Sequence, residues 1–161
     1  MLLETLAAAL QDTELSRLLR SSGWIYPLVN TGHVVGIALL FGAIAPLDLR
    51  LLGCWKGTPL DHLARTLIPV AIAGLVLAMS TGSLLFATRP LDYVVEPLFG
   101  IKMSLLCAAV FNALWLRRSP HWWLSGVAAG APPRLAWRFA AILSIALWLG
   151  VITAGRLIGY R

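Results

Sequence analysis

Three ionisable side chains interrupt long apolar runs in this chain: His33, Lys102 and Arg156. Such a group is costly in a hydrocarbon setting, so it must face a polar interior, pair with another group or reach toward the headgroups. Ser80, Thr81 and Ser83 add hydroxyls within a further apolar run. An imidazole offers a nitrogen lone pair to a metal or a proton. Lysine and arginine offer positive charge to an anionic group. His33, Lys102, Arg156 and Thr81 therefore form the candidate cofactor-binding set, with His33 as the candidate metal ligand. No catalytic residue stands out, because the sequence holds no nucleophile motif, phosphate loop or paired carboxylates.

Each of these residues also has a plainer reading. Lys102 and Arg156 lie near the ends of their apolar runs, where a long basic side chain snorkels to the headgroups. His33 is too short and too deep for that, and as a neutral imidazole it can bond to a neighbouring helix. A bis-histidine haem is excluded within one chain. His62 opens the second apolar segment at the opposite end, and a rise of ~1.5 Å per residue puts it roughly 20 Å from His33 in depth. His121 falls in the last connection. A haem b held by His33 alone, with Lys102 nearby, stays open. A tetrahedral zinc site lacks ligands, and Cys54 and Cys107 have no CxxC spacing.

The elements that position these residues are helices. Of the 161 residues, 59% are apolar and 12% are charged, too much apolar surface for one soluble core. Four segments, about 24–47, 67–87, 98–116 and 137–158, each approach the ~20 residues that cross a ~30 Å hydrocarbon core. Backbone groups in lipid must bond within their own segment, so helix is the form expected. The expected fold is all-α: an integral membrane four-helix bundle, one domain over 1–161. Residues 2–20 should add an amphipathic interfacial helix, with Leu3, Leu6, Leu10, Leu15, Leu18 and Leu19 on one stripe. No basic leader region precedes those leucines, so Met1 is expected to remain. Gly32 with Gly36, Gly155 with Gly159, and Gly74 and Gly82 permit close helix contact. Trp24, Tyr26, Trp115, Trp137 and Tyr160 are placed as interfacial aromatics, and Trp122–Trp123 as a surface anchor. Asn112 is expected to bond a neighbouring helix.

The net charge of +6 does not point to nucleic acid, because the basic residues flank apolar runs instead of lining one polar face. Arg50, Lys56, Arg65, Arg117, Arg118, Arg134 and Arg138 gather in the first and third connections. Arg89 stands with Asp92 and Glu96 in the second. The positive-inside rule then puts the first and third connections in the cytoplasm and both termini in the periplasm. His33, Thr81, Lys102 and Arg156 all fall in the periplasmic half.

Trp24-Ile25-Tyr26-Pro27-Leu28-Val29, His33-Val34-Val35-Gly36 and Asp48-Leu49-Arg50-Leu51-Leu52-Gly53 resemble an uncharacterised bacterial family of four-helix inner-membrane proteins. Thr81-Gly82 with Phe86, Phe99 with Lys102, Asn112, and Gly155-Arg156 with Tyr160 agree with it. That resemblance implies the fold and no activity. Glu96 stands where the resemblance would place asparagine. A weaker similarity, carried by His33 and Lys102, is to HemJ-like and CopD-like membrane proteins, which implies haem or copper chemistry. The functional expectation is a membrane protein with a periplasm-side polar pocket and a haem- or metal-associated redox role. The alternatives are a small-anion or proton transporter or channel subunit, which would require a homo-oligomer, and a structural partner of a larger membrane complex.

Overall fold

The structure, a computed structural model, describes residues 2–118 and 135–160. His121, Trp122–Trp123 and Arg134 lie outside the described residues. The described chain is all-α. Its elements are α1 (Leu2–Gln11), α2 (Glu14–Ser21), α3 (Ile25–Leu52), α4 (Leu60–Thr88), α5 (Pro90–Val95), α6 (Pro97–Arg118) and α7 (Leu135–Ile158). Four of these, α3, α4, α6 and α7, are long and apolar enough to cross a membrane. The chain is a multi-pass membrane protein.

Helix association in lipid cannot draw on a hydrophobic driving force, so close packing has to supply it. The buried positions accordingly include many alanines, such as Ala43, Ala64, Ala109, Ala141 and Ala154. The α3–α4 contact is tightest. A Cβ on Gly36 would lie 2.6 Å from the Ala78 nitrogen, and one on Gly74 would lie 2.5 Å from the Leu40 nitrogen. Gly36 therefore meets α4 as the sequence suggests, whereas Gly159 falls beyond the end of α7. α6 packs on α7, and α3 packs on α7, but α4 and α6 hardly approach each other. The four spans thus run α4–α3–α7–α6, with an open seam between the first and last.

The base of the bundle, at the end of the α3–α4 connection, is filled. Leu51, Leu60, Ala64, Leu116, Trp137 and Ala141 share one apolar cluster there. Trp137 is 3% exposed, so it is a core residue and not the interfacial aromatic its position near a span end suggests. Trp24, Tyr26, Trp115 and Tyr160 are exposed. Asn112 Nδ2 donates to the Ala140 carbonyl of α7 at 3.0 Å, the interhelix bond expected of it. Arg50, 1% exposed, does not reach outward. Its Nε donates to Thr58 O at 2.8 Å and its Nη2 to Lys56 O at 3.2 Å, closing the loop after α3.

The N-terminal segment is two helices instead of one. Thr13 caps α2, its hydroxyl oxygen accepting from Ser16 N at 3.3 Å, while the hydroxyl donates back to Leu10 O at 2.7 Å. A threonine followed by an acidic first turn is a start signal in the middle of the apolar stripe. Within α2, Leu19 is buried, while Leu15 and Leu18 are exposed. Ser16 Oγ donates to Ala87 O at 2.7 Å and Arg20 Nη1 to Thr88 O at 3.2 Å, so α2 is fastened to the last turn of α4. α1 rests on α5.

Candidate functional site

His33 sits two turns into α3, facing α4. Its Nδ1 lies 2.9 Å from the Ala78 carbonyl oxygen and 3.3 Å from Thr81 Oγ1. A carbonyl only accepts, so Nδ1 carries the hydrogen. Thr81 agrees with that tautomer, because its own hydroxyl donates to Leu77 O at 2.5 Å and leaves an oxygen lone pair toward the ring. The Nε2 lone pair is then available, and no described protein group bonds to it. Gly82 makes room for this arrangement: a Cβ there would lie 3.0 Å from the His33 Cε1.

Lys102, one turn into α6, is half-buried. Its stem runs along α7, where a Cβ on Gly155 would sit 3.4 Å from both its Cε and its Nζ. No described carboxylate pairs with the ammonium. Glu96, the nearest acidic residue along the chain, instead caps the start of α6, its Oε1 accepting from Leu98 N at 3.3 Å.

His33 and Lys102 face a common cavity of about 300 Å³ between α3, α4, α6 and α7. That is at the low end of the ~300–1,000 Å³ usual for small-molecule sites. The walls are almost wholly apolar, and none of the lining residues is acidic. Trp148 forms part of the wall. It is 3% exposed, and its buried indole Nε1 has no hydrogen-bond partner among the described residues. At one end Phe86 of α4 and Phe99 of α6 stack at 5.3 Å, and Tyr93 of α5 lies 5.9 Å and 5.4 Å from them. Three rings therefore roof the seam at that end. Below them Met79 and Ser83 line the cavity while also exposed on the outside, so the cavity opens sideways between α4 and α6.

The four residues singled out from sequence part company here. His33 and Lys102 are brought together. Thr81 stands behind His33 and positions it without lining the cavity. Arg156 does not join them. It is exposed, its Nη2 donates to Tyr160 Oη at 2.7 Å, and its guanidinium lies 4.7 Å from that ring. Shared depth brought Arg156 into the expected set, but one residue step turns ~100° about a helix, and Gly155 is the residue that faces Lys102. Among the described residues no three His, Cys, Asp or Glu side chains gather to hold an ion. Trp148 escaped notice in the sequence, although a tryptophan mid-span, far from either interface, is a signal in itself.

Residues 13–161 match the model of a family of unknown function, DUF6644. The chain belongs to that family. The match begins at the Thr13 cap and takes in α2, every span and the cavity residues of this DUF6644 member. No curated protein and no solved structure matches it. Membership brings no activity with it, so the chemistry has to come from the cavity.

Proposed function

We propose that this protein binds an amphipathic, anion-bearing cofactor in the cavity, with haem b as that cofactor and a redox role as the function. The observation that carries the reading is the His33 geometry. Nδ1–H is held by the Ala78 carbonyl, which leaves Nε2 as a donor atom on an apolar cavity that also holds an ammonium with no carboxylate partner among the described residues. Orientation of a ligating imidazole by a hydrogen bond from its other nitrogen is the usual support for a metal-bound histidine. A haem brings its own ring nitrogens and needs few protein ligands, so a single histidine is compatible with haem although it cannot hold a bare ion.

Each residue has a part in this reading. His33 Nε2 would hold the iron, and Lys102 would neutralise a carboxylate at the cavity edge. Ala78 and Thr81 fix the tautomer, and Gly82 admits the ring. The apolar walls exclude water, and the aromatic roof shuts one end. A bound haem supplies reversible one-electron chemistry.

The chain is further read as a bacterial inner-membrane protein with both termini on the periplasmic side. The support is the basic end formed by Arg50, Lys56, Arg65, Arg117 and Arg118 against the connection between α4 and α6, which holds one basic residue, Arg89, beside Asp92 and Glu96. A periplasm-active reporter fused to the C-terminus should be active, and silence there would reverse the orientation.

The cofactor is tested by expressing the full chain under haem-replete conditions and recording its visible spectrum with iron analysis. The expected result is a Soret band with iron near one per chain. A colourless, iron-free protein would remove haem from the account.

A further inference from the structure

The open seam continues below the cavity as a second depression on the outside of the bundle. We propose that it binds an anionic phospholipid of the surrounding bilayer. The inference does not depend on what occupies the cavity. The groove has a volume of about 530 Å³. Arg65 of α4 and Arg117 of α6 flank it, and Ile68, Pro69, Ile72 and Ala73 continue it along α4 toward the middle of the span. These α4 residues form one stripe that turns toward α6 but is not covered by it.

Charge complementarity selects the occupant. Both arginines are exposed, and neither has an ion-pair partner among the described residues. Asp61, one turn before Arg65, lies 3.8 Å from His62 and does not line the groove. None of the described residues that line it is acidic. Two guanidinium groups on neighbouring helices can grip one phosphate with forked hydrogen bonds. The apolar stripe beyond them suits an acyl chain that follows the phosphate toward the bilayer centre. A basic pocket between spans with an apolar continuation is the arrangement by which helical membrane proteins hold anionic lipid.

Native mass spectrometry of the full chain in mild detergent tests this, with phosphatidylglycerol and phosphatidylcholine as probes. Phosphatidylglycerol should be retained and phosphatidylcholine should not. Arg65→Gln with Arg117→Gln should lower phosphatidylglycerol retention about thirtyfold, while Arg138→Gln leaves it unchanged. Ile72→Trp, which fills the groove and keeps both arginines, should also lower it. Thermal unfolding of each variant confirms that it is folded. Equal retention of both lipids, or unchanged retention in the double arginine variant, overturns the proposal. So does displacement of the lipid by millimolar inorganic phosphate, which would mark a free-anion site. A dimer lost in the double variant with no lipid on the wild type would assign the groove to a second copy of the chain.

Discussion

The two ends of the bundle both bury ionisable residues within apolar helices and use them differently. At the base, Arg50 is wholly enclosed and spends its hydrogen bonds on the Thr58 and Lys56 carbonyls. Asp48, 4% exposed, lies against Ser144; its Oδ2 has no hydrogen-bond partner among the described residues, but it is enclosed by packing and opens on no cavity. Leu51, Leu60, Leu116 and Trp137 fill the space around them. At the other end, roughly 22 Å along α3 by helical rise, His33 spends one nitrogen and keeps the other, Lys102 keeps its ammonium, and an apolar cavity lies between. A polar group in a span whose valences are met inside the protein holds the fold. One whose valence opens on a cavity is available to a ligand. Composition and depth do not separate these cases; the hydrogen-bond partners, together with whether the group opens on a cavity, do.

Substitutions can break this contrast, the largest effect coming from what both ends share. Gly36→Ala or Gly74→Ala places a Cβ against backbone that cannot yield. Either should cost about 3 kcal/mol or more, at the upper end of overpacking penalties, seen as loss of folded protein in thermal unfolding. A Gly36→Ala protein as stable as wild type would dissolve the tight α3–α4 contact on which both ends are built. Arg50→Ala should cost about 2–3 kcal/mol by leaving two carbonyls short of a charged donor. A stability change below one kcal/mol, roughly that of an exposed pair, would mean the base is not the structural end. Asn112→Leu should cost about 1 kcal/mol, as interhelix hydrogen bonds in membranes do, with no change in what the cavity binds. Smallest in stability and most telling at the cavity is Gly82→Ala. The His33 ring must shift by a few tenths of an ångström to admit the new Cβ, so folding should persist while cofactor occupancy falls. Unchanged occupancy would show that the ring position is not critical.

Much of this contrast was legible in the sequence, though unevenly. The spans follow from apolar length, and counting turns from the span ends put His33 and Lys102 at one level. The same counting sets Arg156 at that level too, but depth says nothing about direction around the helix, and its guanidinium turns to Tyr160. Trp137 differs from expectation for a related reason: nearness to a span end suggests an interface, but the residue packs inward with Leu51 and Ala141. The break at Thr13 was readable from the threonine–glutamate step, yet the leucine stripe running across it suggested one continuous helix. The cavity itself had no local signature. It exists because α3 grips α4 through Gly36 and Gly74 while α4 and α6 stay apart, and pairing preferences among spans are not written in any one of them.

The most direct test pairs thermal unfolding with the visible spectrum in one His33→Ala preparation. The haem band should be lost while stability stays within about 1 kcal/mol of wild type, the scale of a single interhelix hydrogen bond. A retained band, or a loss of stability as large as that of Arg50→Ala, would contradict it and place His33 among the residues that only hold the bundle together.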